Sequence, residues 1–292
     1  MIQSYPGFFQ ELDIPIPITA NELLTDHDYE IISNPELTSG FETTANIAWV
    51  FDVKNVGNAG FLINKNIARR IQEYIGDTFT IPFLPRSMKL GQSGRTVFPA
   101  TLVCFTEDNM YHREGITEDI GKSDQRISAH GGRLGYALNF KLVGPEENSG
   151  TFFGEPDETI LGWERTAGDL VEEHYVKQQS KMPGNFFTQV KETEPQEDYV
   201  YNHYIGDSVA FQHNTRRSGI MNHPDINQHD HITTVAKKEG FDKPYIINLA
   251  KYHRVDMTPS QEPRVALRFH GNWQKYSFDD IQRLYNEGSL LK

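Results

Sequence analysis

The chain has 292 residues, 37% of them hydrophobic, and its 18 Phe and 13 Tyr residues supply enough bulky apolar side chains to bury a sizeable core. Lys and Arg number 28 against 40 Asp and Glu. The net charge of −12, with no long basic run, argues against nucleic acid as a partner, because phosphate binding needs clustered cations. The single cysteine, Cys104, excludes a disulfide within the chain and favours a reducing compartment.

The first ninety residues predict a mixture of helices and strands. Residues 19–22 resemble a helix start, and residues 47–53 are typical of a strand. Between Asn64 and Tyr74, Ile67 and Ile71 recur with helical spacing and predict an outer helix packed on a sheet. We therefore expect residues 1–90 to form α/β elements that pack on a separate core.

The core is predicted to lie within residues 95–272. Residues 96–105 are β-branched and apolar, and they lead towards His112 at the rim of a sheet. Residues 138–142 and 206–211 also predict strands, whereas 175–198 predict loops around a short strand, and about 213–250 an insertion.

Towards the C-terminus, residues 253–257 predict a strand, 258–262 a polar turn and 264–269 a returning strand, together a hairpin. Ser277 is expected to cap a helix that ends near Asn286, within a C-terminal helical region 277–290. The whole pattern predicts a single domain, 1–292, that is mainly β with flanking helices.

A metal site is suggested by His112, Glu114 and His253. Residues i and i+2 of an extended segment point to the same side, so His112 and Glu114 can bind one ion, and a distant strand can supply His253. Two imidazoles and one carboxylate on one face of Fe(II) leave positions for a chelating co-substrate and O2. Arg264, eleven positions after His253, can grip a carboxylate through two parallel hydrogen bonds.

At these residues the chain resembles the 2-oxoglutarate- and Fe(II)-dependent oxygenases, whose core is a double-stranded β-helix, the cupin-like jelly roll. The distance from His112 to His253 is similar to that of the taurine dioxygenase and clavaminate synthase branch, and residues 214–222 resemble the phytanoyl-CoA hydroxylases. The resemblance implies that His112, Glu114 and His253 bind iron and that Arg264 binds 2-oxoglutarate.

The same resemblance implies a hydroxylase that uses O2 on a small molecule and releases succinate and CO2. Arg133, Arg216 and Arg217 are candidates for binding an anionic group of the substrate. No apolar run approaches the roughly 20 residues of a membrane span, and the first residues lack a signal-peptide pattern. We therefore expect a cytoplasmic protein with no membrane partner; its oligomeric state is not predicted.

Several alternatives remain open. His213 or His223 can replace His253 if residues 214–222 follow the phytanoyl-CoA hydroxylase pattern, in which Arg217 stands in the place of the histidine. His130 and Gly132 match the His-x-Gly pattern of halogenases. A cupin-type metalloenzyme would need no 2-oxoglutarate, and a non-catalytic β-sandwich binding protein would carry these histidines by accident. Under the last hypothesis Arg264 and Arg268 would be solvated charges on an edge strand, and the residues from His223 to His231 a polar loop rather than a metal site.

Overall fold

Antiparallel strands make up most of the chain that the structure describes. The structure is a computed structural model, and it describes residues 2–33, 41–43, 46–50, 58–83, 89–90, 95–98, 100–105, 111, 134–144, 149–160, 199–202, 228–240, 242–257, 262–272 and 276–292. The strands are β1 (Ser4–Tyr5), β2 (Phe9–Glu11), β3 (Phe41–Thr43), β4 (Ile47–Val50), β5 (Asn58–Asn64), β6 (Lys89–Leu90), β7 (Arg95–Phe98), β8 (Ala100–Phe105), β9 (Leu134–Val143), β10 (Ser149–Pro156), β11 (Tyr199–Asn202), β12 (Ile232–Glu239), β13 (Tyr245–Asn248), β14 (Tyr252–Met257) and β15 (Arg264–Asn272). The helices are α1 (Ala20–Leu23), α2 (Asp26–Ser33), α3 (Lys65–Thr78), α4 (Gln228–His231) and α5 (Phe278–Asn286).

These strands form two sheets. The large sheet has twelve strands, with β1-β2-β13-β9-β15-β8-β5-β11-β7-β6 as its main path; β4 also pairs with β5, and β3 pairs with β4. The small sheet has the order β12-β10-β14. Apart from the parallel pair β7 and β11, the strand pairs are antiparallel. The predicted class, mainly β with flanking helices, is confirmed.

The helices cover the outer face of the large sheet. Ile71 and Ile75 of α3 and Ile281 of α5 are buried in one cluster with Leu267 and Phe269 of β15. Both long helices begin at the residues that the sequence indicates. Asn64 accepts a hydrogen bond from the backbone N of Asn66 at 2.9 Å and Ser277 accepts one from Asp280 N at 3.1 Å, each satisfying an N–H that the first helical turn leaves unbonded.

The inner face of the large sheet packs against the small sheet. Successive side chains of a strand point to opposite faces, so Val265, Leu267 and Phe269 face the helices while Ala266 faces inward. Ala266 lies in a second buried cluster with Phe153 of β10 and Ala236 of β12. The space between the two sheets is therefore a core of its own.

The predicted hairpin of residues 253–269 is wrong in its pairing. The two strands exist, but β14 pairs with β10 in the small sheet, whereas β15 lies between β8 and β9 in the large sheet. The chain crosses from one sheet to the other between them. The alternation of apolar and polar residues in a sequence indicates which face of a strand is buried, but it does not indicate the partner strand.

The predicted insertion at about 213–250 also needs correction. Residues 232–239 form β12, which pairs with β10, and residues 245–248 form β13, which pairs with β9 and β2. Both strands therefore belong to the sheets that form the core. The predicted strand at 206–211 and the loops at 175–198 lie outside the described residues.

Within the described part of the chain, no helix is both long enough and apolar enough to cross a membrane.

Candidate functional site

Polar side chains are buried on the facing surfaces of the two sheets. The centre of this interior is apolar: Phe153 of β10 stacks on Phe9 of β2, with ring centroids 5.4 Å apart and an interplanar angle of 15°. Around it lie charged and hydrogen-bonding side chains that are nearly inaccessible to solvent. These are Glu11, Asn139, Thr151, Lys238, Tyr245, His253, Arg264 and Arg268.

Arg264 is the first residue of β15 and only 3% exposed. Its Nη1 donates to the carbonyl O of Gly150 at 2.7 Å and to Ser149 Oγ at 3.3 Å. Its Nη2 donates to Thr151 Oγ1 and to the Tyr245 hydroxyl, both at 3.1 Å. These four acceptors are neutral oxygens, so they orient the guanidinium across the gap between the sheets without cancelling its charge.

The chain approaches this arginine closely at Gly144, just after β9. Gly144 has φ of 134°, a conformation that side chains rarely allow, and a Cβ there would lie 3.2 Å from Arg264 Cα. Glycine therefore permits the close approach of the backbone at residue 144 to Arg264.

The interior around Arg264 is electropositive. Burial lowers the pKa of Arg264 below its ordinary value. Burial alone would raise the pKa of Tyr245, but the charges of Arg264, Lys238 and Arg268 and the hydrogen bond with Thr151 outweigh it and hold that pKa below its ordinary 10.0. An environment that favours phenolate also favours other oxyanions.

A buried ion pair closes this end of the interior. Lys238 Nζ lies 2.8 Å from Glu11 Oε1, with the two side chains 0% and 1% exposed, and 5.0 Å from the ring centroid of Tyr245. Glu11 Oε2 also accepts from the backbone N of Gln3 at 2.7 Å. The pair fastens β2 of the large sheet to β12 of the small sheet.

His253 stands on β14 with its ring in the same interior. It is 3% exposed, and its ring centroid lies 6.4 Å from that of Phe153, the residue opposite it on β10. Its Nδ1 lies 2.8 Å from the carbonyl O of Lys251, an acceptor, so Nδ1 carries the ring proton and Nε2 the lone pair. A backbone carbonyl on the second ring nitrogen is the usual support of a metal-binding histidine.

The register of β10 gives the spacing between His253 and the arginine. His253 pairs with Phe153, whereas Arg264 donates to Thr151, two residues earlier on the same strand. Two residues span roughly 7 Å along an antiparallel strand. A dicarboxylate with a few carbons between its ends can bridge such a distance, since each C–C bond contributes about 1.5 Å.

Arg268 lies on the same face of β15 as Arg264 and is 6% exposed. Its Nε donates to Asn139 Oδ1 of β9 at 2.9 Å. The hypothesis that Arg264 and Arg268 are solvated charges on an edge strand is therefore wrong, because β15 has a strand on both sides and both guanidinium groups are buried.

The structure brings His253 and Arg264 into one interior. It also describes Tyr111, the residue before His112, which is 2% exposed and packs with Tyr252 and Ile232 on the outer face of the small sheet. Its hydroxyl lies 2.6 Å from Thr234 Oγ1. The other predicted site residues lie outside the described residues: His112, Glu114, His130, Gly132, Arg133, His213, Arg216, Arg217 and His223.

The acidic and histidine-rich stretch before β12 is described only at its end. His231 Nδ1 lies 2.8 Å from Asp157 Oδ2, and this contact lowers the pKa of Asp157. It joins the end of β10 to the start of β12 at the surface. Among the described residues, no group of three or more His, Cys, Asp or Glu side chains is placed to hold a metal ion.

Sequence reasoning missed Thr151, Tyr245, Lys238 and Glu11. Side chains at every second position of a strand face the same side, so the buried face of each strand is known once its partner strand is known. Lys238 lies two positions after the buried Ala236, and Tyr245 two positions before the buried Ile247. The missing information was the pairing of β10, β12 and β13, which no short motif encodes.

A scan against protein-family models finds no match for the chain, and a search of curated proteins finds none either. What the site does is therefore inferred from its own residues.

Proposed function

We propose that the protein is an Fe(II)- and 2-oxoglutarate-dependent oxygenase built on a double-stranded β-helix. Such a core is a jelly roll of eight strands in two facing sheets. The order β13-β9-β15-β8 in the large sheet and β12-β10-β14 in the small sheet supports this, as does the alternation of the chain between them from β9 to β15.

The observation that carries the proposal is the placement of His253 and Arg264. His253 is the second residue of β14 and Arg264 the first of β15, and both project into the space between the sheets about two strand residues apart. A metal bound to the imidazole and a carboxylate bound to the guanidinium can then be the two ends of one 2-oxoglutarate site.

The proposal assigns His112 and Glu114, which lie outside the described residues, as the other two metal ligands beside His253. Two imidazoles and one carboxylate are a donor set that suits Fe(II).

Each described residue has a distinct role in this proposal. Arg264 binds the far carboxylate of 2-oxoglutarate, while Thr151 and Tyr245 hold the guanidinium in place and the Tyr245 hydroxyl can turn to donate to the same carboxylate. Lys251 O fixes the tautomer of His253. Phe153, Ile247 and Ala266 exclude water from the reacting region. When bound, the iron and 2-oxoglutarate together supply the oxidising power for hydroxylating an unactivated C–H bond, with succinate and CO2 as co-products.

The test is an anaerobic titration of Fe(II) and then 2-oxoglutarate, followed by the visible charge-transfer absorption of the chelated co-substrate. We expect the absorption in the wild type, its loss in His112→Ala and His253→Ala, and at least about tenfold weaker 2-oxoglutarate binding in Arg264→Met. His27→Ala is the matched control, because His27 is a surface histidine with a side chain 53% exposed; this variant should keep the absorption.

Three outcomes would contradict the proposal. Absence of absorption in folded wild-type protein would remove it. If iron binding needs His112 and His253 but Arg264→Met behaves like the wild type in the 2-oxoglutarate titration, a cupin-type metalloenzyme without 2-oxoglutarate is favoured. Persistence of the absorption in Glu114→Ala would favour the halogenase hypothesis based on His130 and Gly132.

A further inference from the structure

Asn248, the last residue of β13, uses both ends of its side-chain amide. Its Oδ1 accepts a hydrogen bond from the backbone N of Ala250 at 3.0 Å, and its Nδ2 donates to the carbonyl O of Gly7 at 2.8 Å. These partners fix the orientation of the amide, because a flipped amide would oppose a donor to a donor and an acceptor to an acceptor. Asn248 therefore forms an Asx turn with the residues that follow it and is fastened to the N-terminal part of the chain.

The N-terminal hairpin, residues 3–11 with strands β1 and β2, contacts the same turn at two further points. Asn248 N donates to the carbonyl O of Phe8 at 2.8 Å, so two successive carbonyl groups of the hairpin bind one residue. Lys251 Nζ lies 5.3 Å from the ring centroid of Phe8. Phe8 also packs edge-on against Phe153, with ring centroids 5.7 Å apart, so the hairpin is anchored in the core between the sheets.

The turn held by these contacts carries the carbonyl group that orients His253. Residues 249–251 alone connect β13 in the large sheet with β14 in the small sheet. Lys251 N donates to Asn248 O at 3.3 Å, and Lys251 O lies 2.8 Å from His253 Nδ1. In so short a connection, a displacement of Asn248 also displaces the carbonyl of Lys251. The imidazole then loses the acceptor that keeps its proton on Nδ1 and its lone pair on Nε2.

We propose that Asn248 is a positioning residue for His253 and that the N-terminal hairpin acts through it. By holding the Lys251 carbonyl in place, Asn248 maintains the tautomer that a metal bound at Nε2 requires. The inference rests on the proposed function for the metal, whereas the effect on the tautomer follows from the described contacts alone. It gives residues 3–11 a part in the site although they are far from His253 in sequence.

The test determines the tautomer of His253 from the ¹⁵N chemical shifts of its two ring nitrogens. The sample is metal-free, full-length protein with labelled histidine, at a pH at which the ring is neutral, and His253→Gln identifies the resonances by their disappearance. We expect the Nδ1–H tautomer in the wild type. Asn248→Ala should increase the population of the Nε2–H tautomer in the folded protein, an effect that a loss of stability alone would not produce.

A milder variant keeps the test decisive if Asn248→Ala does not fold. Asn248→Ser retains an oxygen that can accept from Ala250 N, but its side chain is too short to reach Gly7 O. The tautomer should change in the same direction as in Asn248→Ala and by a smaller amount.

Gln3→Ala is the matched control at the other end of the N-terminal hairpin. It also removes two hydrogen bonds, both at 3.0 Å, which join the Gln3 side chain to the backbone of Glu239, and it leaves the turn at Asn248 untouched. The tautomer of His253 should not change. The Nε2–H tautomer in the wild type, an unchanged tautomer in the folded Asn248 variants, or an equal change in Gln3→Ala would each overturn the inference.

Metal binding distinguishes failure of this inference from failure of the proposed function. The probe is Mn(II), and the EPR signal of the free ion measures its binding. Loss of an outer partner of a metal-binding histidine weakens metal binding about 10–100-fold, and Asn248 lies one contact further out, so Asn248→Ala should raise the dissociation constant at least about fivefold and Gln3→Ala less than about twofold.

The two measurements together separate the outcomes. If the tautomer depends on Asn248 but the wild type does not bind Mn(II), the positioning stands and the oxygenase proposal falls. If the wild type binds Mn(II) through His253 and Asn248→Ala binds it equally well with an unchanged tautomer, the proposed function stands and this inference falls. A changed tautomer with an unchanged affinity for Mn(II) would overturn the role of Asn248 in metal binding.

Discussion

Removing one member of the Lys238–Glu11 pair should destabilise the protein by about 3–5 kcal/mol, since a buried charge then loses its counterion. The two side chains are 0% and 1% exposed and 2.8 Å apart, so water cannot replace the missing partner. Lys238→Met leaves the Glu11 carboxylate in the interior, and Glu11→Gln leaves the ammonium there. Against a typical total stability of about 5–15 kcal/mol, either loss is large.

The double variant Glu11→Gln/Lys238→Met carries no charge at this place and keeps an amide that can accept from Gln3 N. It should therefore be about 2–3 kcal/mol more stable than the sum of the two single losses predicts. Urea unfolding followed by circular dichroism gives the four free energies. The matched control is Arg69→Ala at the exposed Arg69–Glu73 pair, where the side chains are 67% and 57% exposed and about 0.3–0.5 kcal/mol is expected. Single losses below about 1 kcal/mol, or additive losses in the double variant, would refute this picture of a closed interior.

Three further changes test the fold and the anion site. Tyr245→Phe removes an acceptor from Arg264. Because the pKa of Tyr245 lies below 10.0 in the folded protein, ionisation of this residue adds stability as pH rises towards 10.0, and that stability is lost as pH falls through the folded pKa. The stability deficit of the variant in urea unfolding should therefore grow from neutral pH to 10.0, and a constant deficit would contradict this. Ser277→Ala should cost about 1 kcal/mol, since Ser277 Oγ caps α5, and an unchanged urea midpoint would show that this cap is unimportant. Gly271→Ala should destabilise the protein by about 1–3 kcal/mol or more, because the new Cβ would lie 1.9 Å from Tyr136 Cε2. The control Gly76→Ala, whose Cβ would have no atom within 4 Å, should be neutral or stabilising by up to about 1 kcal/mol. Equal effects of the two variants in thermal unfolding would argue against the packing at Gly271.

Local signals in the sequence predicted local structure well. The helix α3 follows from the apolar spacing of Ile67, Ile71 and Tyr74, and α5 from Ser277 with acidic residues in its first turn. Both depend on residues within a few positions of one another. The same is true of the extents of β14 and β15, whose β-branched and apolar residues lie next to a polar turn.

Pairing between distant strands was not predictable in the same way. The hairpin expected at 253–269 assumed that two strands close in sequence pair with each other, and the insertion expected at about 213–250 treated that segment as an addition to the core. In the structure, β14 pairs with β10 and β13 pairs with β9, in each case about a hundred positions away in sequence. Such contacts depend on the shape of the whole core, which no short window contains.

The residues of the candidate site also fall into those that a sequence pattern indicates and those that only strand pairing brings together. The sequence singled out Arg264 and His253 by their spacing, and the structure places both side chains in one interior; their roles in binding 2-oxoglutarate and iron stay a proposal. Thr151, Tyr245 and Asn139 were missed, because each is an ordinary residue of a strand until the facing sheet is known. The residues that orient Arg264 and Arg268 come from three strands in two sheets, so only the fold assembles them.

The central claim is that one interior binds a metal and 2-oxoglutarate together. Its most direct test is a calorimetric titration of 2-oxoglutarate into the protein under anaerobic conditions, with Mn(II) as a stable substitute for Fe(II) and again with excess EDTA. The account predicts one molecule of 2-oxoglutarate per chain and an affinity at least about tenfold higher with the metal than without it, because both ends of the molecule are then bound. Binding that is absent, or equally strong with Mn(II) and with EDTA, would contradict it.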